Sequence, residues 1–191
     1  MKKKSLLFII LVVTFFVVIA QPGAIGVRLG LGIGVSYQHQ IGDKNMIQVD
    51  VDLPTYGLHG IQGTATYNWI IPLKSWNIAN CNFIAGVGVG VGYQWWAGGG
   101  DVILFPWDRS LKNLERGTFL GAAGIIGFEW NFKFPLQLAI EYRPLVGPFL
   151  YQRYENTSQL PVKNEIGVDF YYRGLWESAV AISVRYKFGR K

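Results

Sequence analysis

The 191-residue chain has one cysteine, two histidines, and only 12 acidic residues against 18 basic ones. A lone Cys81 excludes an intramolecular disulfide framework, so packing and hydrogen bonding must hold the fold. After residue 24 no apolar stretch approaches the length of a membrane-spanning helix, although 50% of the residues are hydrophobic and 15% aromatic. Transmembrane helices are therefore excluded. The net charge of +6 falls to +3 once Lys2, Lys3 and Lys4 are set aside (6 − 3), too weak a balance to argue nucleic-acid binding. No metal site and no cofactor motif is read.

Those three lysines precede an apolar run from Leu6 to Ala20, and small Ala20 leads into Gln21-Pro22-Gly23. This is the pattern of a secretory signal peptide over residues 1–20, with cleavage after Ala20, which would remove the lysines from the exported chain. The competing reading, a membrane-spanning helix, needs roughly 20 apolar residues and the run is shorter. No cysteine comes directly after the run to accept a lipid. Residues 21–191 then form one exported domain.

What the chain does have is alternation. In Phe83-Ile84-Ala85-Gly86-Val87-Gly88-Val89-Gly90-Val91-Gly92-Tyr93, a strand would put Phe83, Ala85, Val87, Val89, Val91 and Tyr93 on one face and little but hydrogens on the other. Gly26, Gly30 and Gly34 repeat the device. A phosphate-cradling loop would need G-x-G-x-x-G at a strand-to-helix turn, and this spacing is strictly two. Period two recurs in Ile47 to Leu53, Ile61 to Trp69, Leu136 to Arg143 and Val180 to Phe188. A soluble sandwich also alternates, but its outward faces should carry more Lys and Glu than the Gly, Ser, Gln and Thr found here. Segments of about ten residues, apolar on one face and small or polar on the other, predict a barrel with lipid outside. In lipid such a sheet must close on itself to satisfy its backbone. Gly86, Gly88, Gly90 and Gly92 would then relieve crowding in a narrow interior.

Eight strands are predicted, over 24–30, 34–41, 46–56, 60–70, 82–95, 118–132, 135–146 and 178–188. If residues 25–40 were one strand, seven would result, and the long connections 96–117 and 147–177 would fall on the periplasmic side. Splitting at Leu31-Gly32-Ile33 restores an even count and places those connections outside. Tyr37, Trp69, Phe83, Trp130, Phe132, Tyr186 and Phe188 then form one aromatic girdle. Tyr93, Trp95, Phe119 and Tyr142 form the other. The fold class expected is all-β: an eight-stranded antiparallel up-and-down transmembrane β-barrel.

Ile25-Gly26-Val27-Arg28, Ser36-Tyr37-Gln38-His39, Phe83 to Gly88, the run from Phe134-Pro135-Leu136 to Glu141-Tyr142-Arg143-Pro144, and the closing Ser183 to Phe188 carry a likeness. On these residues the chain resembles the small eight-stranded outer-membrane β-barrels of Gram-negative bacteria, in particular an uncharacterised group typical of Bacteroidota. The resemblance spans nearly all of the chain after the signal. It implies the fold, a place in the cell outer membrane, and no established activity. Outer-membrane lipid and lipopolysaccharide, and the barrel-assembly machinery during biogenesis, are the partners it implies for a monomer. Gly189-Arg190-Lys191 run past the terminal aromatic at which such assembly signals usually end.

By parity Arg28, Asp50, Asp52, Glu129, Glu141, Arg143, Arg185 and Lys187 face inward, four acids with four bases. An unpaired charge in so narrow a space is costly, so a salt-bridged plug is expected. A gated small-solute pore, or paired carboxylates in acid–base chemistry, would use the same residues. The expected bridge joins Glu141 to Arg185 or Arg28, with Asp50 or Asp52 completing it. Glu141 and Arg143, about 7 Å apart along one strand, are expected to pair mainly across strands. A membrane-surface enzyme would need a His beside Ser or Asp at the outer rim. His39 is assigned to the periplasmic end, and His59 has no Ser nearby. Asn156-Thr157-Ser158 reads as an ordinary polar loop. Aromatic side chains of the two long connections, Trp96, Trp107, Tyr151, Tyr154, Tyr172 and Trp176, are the candidates for contact with lipopolysaccharide, an extracellular protein or a glycan. The 147–177 connection would alternatively extend its strands as a hairpin.

Overall fold

The structure is a computed structural model describing residues 22–30, 32–54, 60–73, 80–94, 115–154, 164–173 and 180–189; the predicted signal segment, 1–20, lies outside them. The alternating segments form strands: β1 (Gly23–Leu29), β2 (Gly32–Ile41), β3 (Asn45–Pro54), β4 (Gly60–Leu73), β5 (Asn80–Gln94), β6 (Glu115–Asn131), β7 (Leu136–Tyr142), β8 (Leu145–Tyr154), β9 (Asn164–Arg173) and β10 (Val180–Phe188). Each of β1 to β6 pairs antiparallel with the next, β6 pairs β7, β7 pairs β10, and β10 returns to β1. Eight strands thus close into a barrel with no free edge within the ring.

Two turns, one at each end, show how the sequence directs the chain. Between β1 and β2 the reversal is tight, with the Gly30 amide donating to the Gly32 carbonyl at 2.9 Å. Residues 25–40 are therefore a hairpin, which makes the count eight. At the opposite end Gly42 has φ of 69°, a left-handed conformation that suits glycine in the turn into β3.

The seventh strand differs from the expected 135–146. Ile126 opposite Tyr142 and Ala123 opposite Leu145 belong to one unbroken register along β6. β7 and β8 are thus a single stave, interrupted at Arg143-Pro144 and continuing to Tyr154. Pro144 has no N–H to give, yet its carbonyl accepts from the Gly124 amide at 2.9 Å. Pro144 lies inside the expected strand, and it is Gly147-Pro148 after it that reads as a stop. β6, 17 residues long, backs both halves and overrides that signal. β9 then pairs along all of β8, so the described parts of 147–177 form a hairpin extending the barrel wall.

The barrel is polar within and apolar without. Among the described residues 14 polar or charged side chains are buried against 10 hydrophobic ones, the reverse of a water-soluble core. Val87, Val89 and Val91 are 60, 61 and 52% exposed on the outside, while Gly86, Gly88 and Gly90 turn inward. One end carries aromatic pairs, Tyr67 with Trp69 at 5.6 Å, Phe83 with Phe128 at 5.4 Å, and Phe132 with Phe134 at 5.3 Å between ring centroids. Phe119, expected in the other girdle, instead points inward and is buried with Ala123 and Leu145, with Phe149 against them. Odd-numbered β6 residues face the lumen, and 119 shares that parity with Glu129.

Close strand approach explains the glycines. A Cβ on Gly86 would collide with Asn68 Oδ1, and one on Gly88 with the Ala65 carbonyl oxygen and, at 2.7 Å, the Thr66 Cα. Both sites include backbone obstacles, which cannot rotate away. Gly88→Leu is expected to overpack the lumen at a cost of about 1–3 kcal/mol or more. Val87→Leu, on the outer face, should leave stability nearly unchanged. Gel mobility of heated and unheated samples would report the folded fraction of each.

Candidate functional site: the lumen charge cluster and its vestibule

Seven of the eight charges expected inside come from five staves and are buried or nearly so; Lys187 is half-buried near one mouth. Strand period two brings them inward, and barrel closure sets β1, β10 and β7 side by side with β3 facing β7 across the lumen.

Glu141 is the hub. Arg185 Nη2 donates to its Oε1, Arg143 Nη2 donates to its Oε2 at 2.9 Å, and Arg28 Nε lies 3.8 Å from Oε2. Arg143 Nη1 donates to Asp50 Oδ2, and Arg28 Nη1 donates to Asp52 Oδ2 at 2.8 Å. Three guanidinium groups thus meet three carboxylates, and the cluster is neutral as a whole. The expected bridge from Glu141 to Arg185 and Arg28 is present, with both Asp50 and Asp52 in it. Glu141 and Arg143, however, bond directly as well as across the lumen. Two residues along a strand are far apart at the backbone, but a guanidinium on its flexible stem closes the gap.

Parity of charged residues alone missed the amides that knit this cluster together. Gln48, fully buried, donates from Nε2 to both Glu141 oxygens at 3.3 Å and to Asp50 Oδ1 at 3.2 Å. Its Oε1 accepts from Gln38 Nε2 at 3.0 Å and Asn68 Nδ2 at 3.2 Å. Ser36 Oγ accepts from Arg185 Nε at 2.8 Å, and Thr64 Oγ1 from Arg143 Nη1 at 3.0 Å. The same inward parity marks Ser36, Gln38, Gln48, Thr64 and Asn68, so the signal was present in the alternation.

Glu129 stands apart from the arginines. Its Oε1 accepts from Asn131 Nδ2 at 2.6 Å and Asn82 Nδ2 at 3.5 Å, and its Oε2 from Gln38 Nε2 at 3.4 Å. It lies in the wall of a cavity of about 410 Å³ at the barrel end where β1 starts and β10 finishes, reached by Lys187, Phe188 and Asp43 of the turn before β3. Lys187 Nζ donates there to the Phe132 carbonyl at 3.1 Å. The two ends of the lumen are therefore unlike. Among the described residues one holds a polar vestibule, and toward the other Phe119, Ala123 and Leu145 pack together.

Of the aromatic contact candidates, Trp96, Trp107 and Trp176 lie outside the described residues. Tyr151, Tyr154 and Tyr172 lie on β8 and β9, in paired strand and not in loop. The Tyr151 ring stacks on Phe149 at 6.2 Å between centroids and covers Gly167 of the facing strand. His39 lies on the outer wall beside Tyr37, whose hydroxyl is 3.4 Å from His39 Nδ1. Among the described residues no three His, Cys, Asp or Glu side chains gather as a metal site. No family model, no curated protein and no solved structure matches this chain.

Proposed function

We propose that the protein is a non-enzymatic outer-membrane β-barrel of a Gram-negative bacterium, exported by residues 1–20, with a largely closed lumen. It serves as a structural or surface-interaction element, held as a monomer in outer-membrane lipid. The observation that carries this reading is the neutral cluster of three arginines and three carboxylates spanning the lumen, with Phe119, Ala123 and Leu145 packed together toward one end. A buried, mutually satisfied ion network is a poor conduit, because displacing one member leaves an uncompensated charge. The apolar outer belt supports the lipid environment, since so much exposed Val, Ile and Leu would be a liability in water. The likeness to small Bacteroidota-type barrels, carried by the strand motifs, supports the same location. Contact with lipopolysaccharide, a protein or a glycan is assigned to the end bearing the β8–β9 hairpin.

The rival reading is a narrow gated channel, which the polar vestibule favours. Planar-bilayer recording separates the two. A plug gives little current in the unmodified protein, whereas a pore gives a current whose ion preference shifts with Glu141→Gln or Arg143→Gln. Steady charge-dependent conductance in the unmodified barrel would sink the plug. A membrane-surface enzyme would instead reveal itself as altered lipid species in mass spectra of cells with and without the protein.

A further inference from the structure

Three of the four inward carboxylates are matched to guanidinium groups within 4 Å, and the fourth is not. Glu129 is 3% exposed, and among the described residues its partners are the neutral amides of Gln38, Asn82 and Asn131. Buried this deeply and held by amides, Glu129 has no cation among these hydrogen-bond partners in the described residues. A cation arriving there would supply the counter-charge that the cluster arginines supply to the other three. It also borders the end of the lumen at which the described residues leave a cavity, and Asp43 adds a second carboxylate to the same cavity wall. Lys187 is the cation of that wall, and its Nζ is turned to the Phe132 carbonyl.

We propose that this vestibule is a binding site for a small organic cation, a primary alkylammonium with a short apolar body. Glu129 would receive the ammonium group. Three N–H donors, one from each amide, already aim the carboxylate and limit its rotation, which preorganises it. The body would lie against Ala24, Met46, Ile70 and Phe188, the apolar part of the wall. The cavity, at about 410 Å³, falls at the small end of ligand sites, and its mixture of apolar wall with a few convergent polar groups is the usual composition of one. A bare divalent metal is a poorer occupant. The amides here donate to the carboxylate, whereas a hard cation needs several oxygens turned toward it. The lumen beyond is closed by the arginine cluster, so the ligand would enter and leave by one mouth.

Cys81, the sole cysteine, lines the same cavity and serves as a reporter. Its thiolate attacks the sulfenyl sulfur of a methanethiosulfonate, forming a mixed disulfide and releasing methanesulfinate. In the folded, lipid- or detergent-embedded full chain, a cationic ethylammonium reagent is expected to label Cys81 at least about tenfold faster than an anionic ethylsulfonate one, since a charged cleft concentrates ions of opposite sign. Glu129→Gln should bring that ratio close to one, and 1,4-diaminobutane should slow labelling by a neutral reagent in the unmodified protein but not in Glu129→Gln. Equal rates for the two charged reagents in the unmodified protein would overturn the proposal, as would a Cys81 that neither reagent reaches. Both of those outcomes are read without any variant, so failure of Glu129→Gln to fold leaves the proposal testable. Glu129→Asp, keeping the charge, should retain the preference for the cationic reagent. The experiment does not depend on whether the lumen conducts.

Discussion

Glu141→Gln should destabilise the folded barrel by about 3–5 kcal/mol, the range for breaking a buried ion pair by removing one partner. The three arginines that Glu141 meets would not suffer equally. Arg143 retains Asp50 and Arg28 retains Asp52. Among the described residues Arg185 has no second carboxylate; its other side-chain partners are Ser36 and Gln137, both neutral. The cost of losing Glu141 is therefore chiefly the cost of a guanidinium left buried at 0% side-chain exposure without its counter-ion. Removing Arg185 as well restores neutrality to the cluster. Glu141→Gln/Arg185→Gln should then cost clearly less than the sum of the two single changes, with a coupling of about 0.5–3 kcal/mol from denaturant unfolding in lipid. The same cycle with Arg28 should give a smaller coupling, because Arg28 lies 3.8 Å from Glu141 and is partly exposed. Additive effects at Glu141 and Arg185 would mean that the cluster is hydrated and screened, which would also favour the channel.

That cluster was legible to the extent that it depends on parity. A strand has only two faces, so with Val180, Ile182 and Val184 outward, Arg185 and Ser183 have to lie inward. Which charges would touch was partly legible as well, because a closed ring makes β1 and β10 neighbours and sets Arg28 near Arg185. The direct Glu141–Arg143 bond was not, since it depends on the reach of one side chain and not on strand spacing. Nor was the central place of Gln48. Parity marks Gln48 as inward but not as central; that place arises only when several staves bring donors and acceptors to the same point.

The fold shows the same division. Glycine alternation was readable because it states a local backbone requirement, whereas the reversal at Leu31-Gly32-Ile33 was inferred from the even strand count that a closed barrel requires. The continuation of the seventh stave past residue 146 was legible only as the alternative in which 147–177 extends its strands as a hairpin, because whether Gly147-Pro148 ends a strand is decided by the partner. Here the long β6 supplies a pairing surface for residues 145–154 that no local signal announces. Phe119 departs from its expected girdle for a related reason. Nearness to a strand end says only how deep an aromatic sits, whereas face is set by parity, and position 119 has the parity of the lumen.

Val89→Arg tests the premise on which the whole arrangement rests, that hydrocarbon surrounds the wall. Val89 is 61% exposed, pairs Ala65 and Ala122 on its two neighbours, and lies well inside β5. Were this face in water, a substitution there would cost within about 0.5 kcal/mol, since it breaks no buried contact. At mid-depth in a bilayer the same substitution should cost about 2–4 kcal/mol, the penalty for an arginine on the lipid face of a barrel. The two expectations differ enough for unfolding measured in lipid vesicles to separate them. A second probe fixes the sign of the parity. With Cys81 replaced by Ser, a cysteine at position 89 should react with a lipid-soluble maleimide and resist a charged one, and a cysteine at position 66, beside the lumen face of Gly88, should not react with the lipid-soluble reagent. If Val89→Arg folds in lipid at no cost while position 89 is open to the charged reagent, the outer belt faces water. The polar interior would then need another explanation than a barrel immersed in lipid, because only a surrounding apolar solvent makes burying the 14 polar side chains found among the described residues and exposing the valines the favourable arrangement.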